Sequence, residues 1–97
     1  MTKRKNEDSV ENLKIIGNII YKHREGLSLK KSSRRFFLDN RVEVGLWERE
    51  YISEKSLTNI ENGYNLPNLV TLNYLATALE VDLLQLITEI QPYIPSL

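Results

Sequence analysis

Residues 53–67 constrain the fold of this chain more than any other segment. They read Ser-Glu-Lys-Ser-Leu-Thr-Asn-Ile-Glu-Asn-Gly-Tyr-Asn-Leu-Pro. Ser53 can accept a hydrogen bond from the first free backbone N–H groups of a helix, and Gly63 can take the left-handed conformation past its end. Pro67 prevents helix until a new start at the following residues. The segment therefore predicts a helix of about ten residues with both ends defined.

This helix is amphipathic, with Leu57 and Ile60 one turn apart on its apolar side. Its outer face carries side chains that form hydrogen bonds rather than only charged ones, which suits the reading of base edges in a DNA groove. Taken alone, the segment fits a surface helix of an all-α bundle better than a DNA-reading helix. The rest of the sequence must therefore decide between a structural helix and a DNA-reading helix.

Composition excludes several classes of function. The 97 residues include no cysteine and one histidine, so a disulfide framework, a thiolate metal site and a thiol nucleophile are excluded. No set of nucleophile and base and no phosphate loop is present, and we predict neither an enzyme nor a cofactor or metal. The length fits one domain, and no segment has transmembrane or signal-peptide character. We expect a cytoplasmic protein that does not interact with a membrane.

The zero net charge is unevenly distributed. Residues 1–35 hold ten basic and four acidic side chains, a formal charge of +6, and the remainder carries −6. No Lys or Arg follows Lys55. Such a chain has one cationic side that could follow a polyanion, although a solvated basic face without a partner gives the same pattern.

Capping residues and apolar spacing predict four further helices. The first opens at Asp8 with Glu11 as a capping box and ends at Gly26, and Gly17 lets another helix approach it closely. The other three predicted helices are Leu29 to about Leu38 capped by Ser28, Leu69–Leu79 capped by Asn68, and Leu83 to about Ile90 capped by Asp82. The domain organisation is then a flexible basic arm (1–8), a helical domain (9–91) and a tail (92–97).

An apolar stretch at about 38–52 separates the second and third predicted helices. It is longer than the turn of a compact helix pair and too apolar for a disordered loop. We expect an ordered insertion that packs back on the domain, by extension of the second helix before Gly45.

The order of these elements resembles the Cro/CI-type helix-turn-helix domain of bacterial, phage and plasmid transcriptional regulators, the xenobiotic-response-element family. The matching residues are Gly17, Arg24 and Leu27-Ser28, then Ile60-Glu61-Asn62-Gly63 with Pro67, and the Leu72-x-x-Leu75-Ala76-x-Ala78-Leu79-x-Val81 run. The resemblance covers roughly residues 12–90 and implies an all-α, five-helix lambda-repressor-like domain. It implies sequence-specific binding of double-stranded DNA by a small regulator, a repressor by analogy with the family.

The resemblance also assigns roles to residues of this chain. Base contacts fall on Glu54, Lys55, Ser56, Thr58 and Asn59. Phosphate contacts fall on Ser28, Lys30, Lys31, Arg34, Asn62 and Tyr64. Arg24 and Glu61 match a pair that links the first helix to the end of the recognition helix, and we interpret this pair as architectural. Glu54 could accept from cytosine N4, or could equally be a first-turn acid favoured by the helix dipole. His23 is predicted to be partly buried and hydrogen-bonded.

One recognition helix reads only a few base pairs, so we expect a homodimer on a pseudo-palindromic operator. The first candidates for the dimer contact are Leu83, Leu84, Leu86, Ile87, Ile90, Tyr93, Ile94 and Leu97, although these residues could instead close the core. The second candidates are Trp47 and Tyr51 of the insertion. The alternative function is a protein-interaction module of the same fold, antitoxin-like or a regulatory partner. In that case Trp47 and its acidic neighbours Glu43, Glu48 and Glu50 would bind a partner protein.

Overall fold

A computed structural model describes residues 5–95, and within them every regular element is helical. The five α-helices are α1 (Lys5–Glu25), α2 (Arg34–Glu43), α3 (Glu54–Glu61), α4 (Leu69–Leu79) and α5 (Leu83–Ile90), followed by a 3-10 turn (Gln91–Tyr93). The predicted all-α, five-helix architecture is confirmed. The lambda-repressor-like arrangement of these helices stays a prediction.

Side-chain caps begin four of the helices. Ser33, Ser53, Asn68 and Asp82 each accept a hydrogen bond from a backbone N–H in the first turn of α2, α3, α4 and α5. Three of these caps, those of α3, α4 and α5, are the predicted ones. Each cap satisfies a donor that the helix itself cannot pair, which typically stabilises a helix by about 1 kcal/mol.

The second helix differs from its prediction. α2 begins at Arg34 rather than Leu29, and Ser28 is not a cap but an exposed residue with a left-handed backbone (φ 56°). The start at Arg34 puts Phe37, Leu38 and Arg41 on one buried face, one helical turn apart. α2 then runs to Glu43, so residues 38–43 are helix, and the inserted connection is shorter than the predicted 38–52.

The chain termini also differ in part from expectation. α1 begins at Lys5, so residues 5–8 of the predicted flexible arm (1–8) belong to a helix. Residues 1–4 lie outside the described part of the chain, as do Ser96 and Leu97. In the predicted tail, Pro92 and Tyr93 belong to the 3-10 turn, which packs on α1 and α5.

The core lies between all five helices and includes Trp47 from the connection between α2 and α3. Its largest fully buried side chains are Ile16, Ile20, Phe37, Leu38, Leu57, Leu75, Leu86 and Ile90. α1 packs against α3 and α5, and α4 packs against α5. No single helix of residues 5–95 is long and apolar enough to cross a membrane; α4 and the Leu83–Tyr93 segment reach that length and composition only as a pair, bent by 115°.

The crossing of α1 and α3 is a contact between backbones. A Cβ atom at Gly17 would overlap the carbonyl oxygens of Ile60 and Glu61, the last two residues of α3. One turn earlier on the same face of α1, the backbone of Lys14 lies against Gly63 (φ 79°), where a Cβ would again be too close. The predicted role of Gly17 is confirmed, because only glycine lets the two helices approach this closely.

We expect Gly17→Ala to lower the free energy of unfolding by about 1–3 kcal/mol, because rigid backbone atoms of α3 would have to move away from the new methyl group. Urea denaturation followed by circular dichroism measures the change. Gly26→Ala is the matched control, since its nearest neighbour would be Lys22 O at 3.3 Å. Equal destabilisation of the two variants would contradict the tight crossing.

Candidate nucleic-acid interface

The α3 helix has the predicted ends and the predicted inner face. Leu57 and Ile60 are buried in the core, and the carboxyl end is closed by hydrogen bonds from Asn62, Gly63 and Tyr64 back into the last turn. Gly63 has the left-handed conformation that the sequence predicted. α3 is therefore held by its apolar side, and its polar side faces outward.

The five residues predicted to contact bases all lie on the accessible side of α3. Glu54, Lys55 and Ser56 are exposed, and Thr58 and Asn59 are partly exposed. Ser56 accepts a hydrogen bond from Ser53 Oγ (3.0 Å), and Thr58 Oγ1 donates to Glu54 O (2.8 Å). Lys55 and Asn59 make no side-chain hydrogen bond within the described part of the chain, so their polar groups are free to meet a ligand.

The six residues predicted to contact phosphate lie around the start of α2 and the end of α3. Exposed members of this set are Ser28, Lys30, Lys31, Asn62 and Tyr64, and Tyr64 is 69% exposed. Arg34 is partly exposed, and its Nε donates to Glu61 at 2.8 Å. The start of α2 and the end of α3 are thus joined directly through a charged hydrogen bond.

Arg24 and Glu61 form the predicted architectural pair. Arg24 donates from Nε to Glu61 Oε2 (2.7 Å) and from Nη2 to Oε1 (2.9 Å), and both residues are buried. Its Nη1 donates to Ser32 O (2.6 Å), in the connection before α2. The hydrogen bond to Glu61 raises the pKa of the Arg24 guanidinium, although burial alone would lower it. α1, the start of α2 and the end of α3 therefore share one buried ionic site.

Arg35 has a role that the sequence did not indicate. Its guanidinium donates to Asp39 (2.8 Å) and to Glu50, and lies 3.8 Å from Glu54. The hydrogen bonds to Glu50 and Asp39 raise its pKa. Glu54 is therefore the partner of a cation as well as a first-turn acid, and Arg35 is neutralised by its own chain. The i to i+4 spacing of Arg35 and Asp39 was the one signal in the sequence.

The inserted connection packs on α4. Trp47 is only 2% exposed, and its Nε1 donates to Tyr74 O at 3.1 Å. Tyr51 meets the Trp47 ring edge-on (5.8 Å between centroids) and stacks on Tyr74 (4.1 Å). The prediction of an ordered insertion that packs back on the domain is confirmed. The prediction of Trp47 as an exposed anchor for a partner protein is wrong, because its ring fills the protein's own core.

Arg41 fixes the other end of this connection. Its carbonyl oxygen accepts from the backbone N–H groups of Leu46 and Trp47, and its buried guanidinium donates to Ala78 O (3.0 Å) and Glu80 (2.9 Å) at the end of α4. The guanidinium also lies over the Phe37 ring, 5.6 Å from its centroid. Nothing in the sequence distinguished this buried arginine from the exposed basic residues around it.

Two open grooves lie beside these elements, and the second includes Ser56 and Ile60 of α3. One, of about 470 Å³, is bounded by apolar Ile19, Leu27 and Leu79 and by Lys22, His23 and Glu89. The other, of about 240 Å³, lies between the capped starts of α3 and α4 and is lined by hydroxyl and amide groups such as those of Ser53 and Asn68. Among the described residues no group of His, Cys, Asp and Glu could hold a metal ion.

Much of the predicted dimer surface closes the core instead. Leu86 and Ile90 are buried, and Leu83, Ile87 and Tyr93 are partly buried. Leu84 (71%) and Ile94 (41%) remain exposed, and Leu97 lies outside the described residues.

Comparison with protein-family models, with curated proteins and with solved structures found no match to this chain.

His23 is partly buried and hydrogen-bonded, as predicted, with its Nε2 2.7 Å from Glu89 Oε1. This hydrogen bond, with a smaller contribution from Gln85, lowers the pKa of Glu89 below its ordinary value of 4.5. A carboxyl whose pKa is lowered on folding stabilises the native state above its unfolded pKa, and that contribution is lost as the pH falls through the lowered value.

We therefore expect the stability difference between wild type and Glu89→Gln to shrink as the pH falls below 4.5, because protonation of Glu89 removes the charge that distinguishes the two proteins. Urea denaturation at a series of pH values measures the difference. Glu48→Gln is the control, because Glu48 is exposed and has no hydrogen bond within the described residues. A Glu89→Gln difference that stays constant through the acid range would refute the link.

Proposed function

We propose that this chain is a small cytoplasmic transcriptional regulator of the Cro/CI type, which binds double-stranded DNA sequence-specifically through α3. By analogy with that family, it acts as a repressor and as a homodimer on a pseudo-palindromic operator. The observation that carries the proposal is the accessible polar face of α3. Lys55 and Asn59 stand there with uncommitted side chains, and the long connection before α3 is packed on α4.

Base reading would rest chiefly on these two side chains. An asparagine amide can pair with adenine N6 and N7, and a lysine can donate to guanine O6 and N7. The hydroxyl groups of Ser56 and Thr58 would add further hydrogen bonds to DNA. Ser56 can still donate and Thr58 can still accept, because each uses the hydroxyl group in only one local hydrogen bond. Glu54 would be held by Arg35, which limits its freedom to meet a cytosine amino group.

Phosphate neutralisation would come from the cations next to α3. Lys30, Lys31 and Arg34 lie before and at the start of α2, and Arg34 is bonded to the last residue of α3. Arg24 and Arg35 are not available for phosphate binding, because the first is buried and the second is paired with carboxylates.

The alternative function, a protein-interaction module, depended on Trp47 as the side chain that contacts the partner protein. Trp47 is buried and cannot make that contact. The acidic residues beside it are exposed, but exposed charges contribute little to the stability of an interface. No feature of the described residues favours this alternative over DNA binding.

The decisive experiment selects binding sites from a pool of randomised duplexes and measures affinity against salt by fluorescence anisotropy. We expect a selected sequence to bind with a clear salt dependence. Lys55→Ala combined with Asn59→Ala should remove most of the preference over unselected DNA, because each side chain that reads a base is worth about 1–3 kcal/mol of discrimination.

A matched control removes the same two residue types from another helix. Asn18 and Lys22 are both exposed on α1 and have the same four-residue separation. Asn18→Ala combined with Lys22→Ala should leave the sequence preference intact. Equal effects of the two double variants, or no binding of the wild type to any duplex, would refute base reading by α3.

The homodimer is tested separately by sedimentation equilibrium. Leu84 is the most exposed apolar side chain of α5, and burial at a two-fold contact would bring its two copies together. We expect Leu84→Glu to give monomers that keep the helical circular dichroism signal, because two carboxylates would be forced together in the contact. Leu69→Glu, which changes an equally apolar exposed residue of α4, is the control. If Leu69→Glu gave monomers and Leu84→Glu did not, the dimer contact would involve α4 rather than α5.

A further inference from the structure

The carboxylate of Glu61 is bound by two arginines at once. Its side chain is 1% exposed and accepts two hydrogen bonds from Arg24 and a third, of 2.8 Å, from Arg34 Nε. One guanidinium is enough to neutralise one carboxylate. The second leaves this site with an excess positive charge, part of it shielded from water.

The two arginines differ in how many guanidinium N–H groups remain available for a ligand. Arg24 is 5% exposed, and its Nε and both Nη atoms donate to Glu61 and Ser32. The Arg34 side chain is 28% exposed and uses only Nε, and its two Nη atoms donate to no group in the described part of the chain. The excess charge is thus presented on the pair of Nη groups of Arg34. Two parallel N–H donors of this kind match two oxygens of one phosphate.

The position of Arg34 also favours an anion. Arg34 is the first residue of α2, where free backbone N–H groups and the helix dipole attract negative charge. The first turn of α2 contains no acidic residue, and Lys30 and Lys31 precede it on exposed chain. Arg35, by contrast, is surrounded by Asp39, Glu50 and Glu54 and offers no such site.

We infer that Arg34 binds a DNA backbone phosphate through its two Nη groups while its Nε stays on Glu61. In this arrangement Glu61 is a positioning residue: the last residue of α3 sets the direction of a phosphate contact made at the start of α2. The backbone contact and the base-reading helix then move as one unit, although the connection between α2 and α3 is long. The inference rests on the proposed function.

The test compares Arg34→Ala and Arg34→Lys on the selected duplex over a range of salt concentrations. Arg34→Ala should reduce the slope of log affinity against log salt by about 1 and weaken binding about tenfold or more. Arg34→Lys keeps the charge, but one ammonium group cannot hold both Glu61 and a phosphate in fixed directions. Its affinity should therefore fall nearly as far as that of Arg34→Ala.

Arg49→Lys is the matched control, since it makes the same change at an exposed arginine of the inserted connection that donates no hydrogen bond within the described residues. It should leave both affinity and salt slope unchanged. In the wild type, the Arg34 Nε–H signal in proton–nitrogen NMR spectra should stay protected from exchange with water in the free protein and in the complex.

The outcomes separate the inference from the function it rests on. Normal binding by the wild type together with full affinity of Arg34→Lys would overturn the bridging role and leave DNA binding standing. Loss of protection of the Arg34 Nε–H signal in the complex would do the same. Failure of the wild type to bind any duplex would overturn both.

Discussion

The buried ion pair between Arg24 and Glu61 holds the polar architecture of this protein together. The two residues belong to α1 and α3, and the third donor of Arg24 reaches Ser32, just before α2. Removal of either partner would leave a charge in a site that water hardly reaches, which typically destabilises a protein by about 3–5 kcal/mol. The contact lies beside Gly17, where the backbones of α1 and α3 touch. The ion pair and the close backbone contact thus both fix the carboxyl end of α3 against α1.

The start of α3 is fixed by different means. A connection of ten residues between α2 and α3 would by itself allow many relative orientations of the two helices. Arg41 binds its first residues, Trp47 enters the core against α4, and Arg35 binds Glu50 near its end. The orientation that a short turn would impose in a compact helix pair comes here from side chains spread along the connection. This is why a base-reading role for α3 remains compatible with the enlarged connection.

The sequence predicted best what local chemistry determines. The caps Ser53, Asn68 and Asp82, the left-handed Gly63 and the close approach at Gly17 all follow from the preferences of single residues. The sequence misplaced α2 because Ser28 and Ser33 are equally good caps. The choice between them depends on tertiary contacts, the burial of Phe37 and Leu38 and the hydrogen bond from Arg24 to Ser32. The carboxylate partners of Arg34, Arg35 and Arg41 were missed for the same reason, because the positions of arginines in a sequence do not say which acidic residues the fold will bring near them.

The buried position of Trp47 has a consequence for spectroscopy. It is the only tryptophan in the chain, and its indole lies where the connection meets α4, beside the Tyr51 and Tyr74 rings. Its fluorescence emission therefore reports the docking of the connection, whereas far-ultraviolet circular dichroism reports the helices as a whole. Undocking of the connection alone would change the emission while the helical signal persists, so the two events can be followed separately in unlabelled protein.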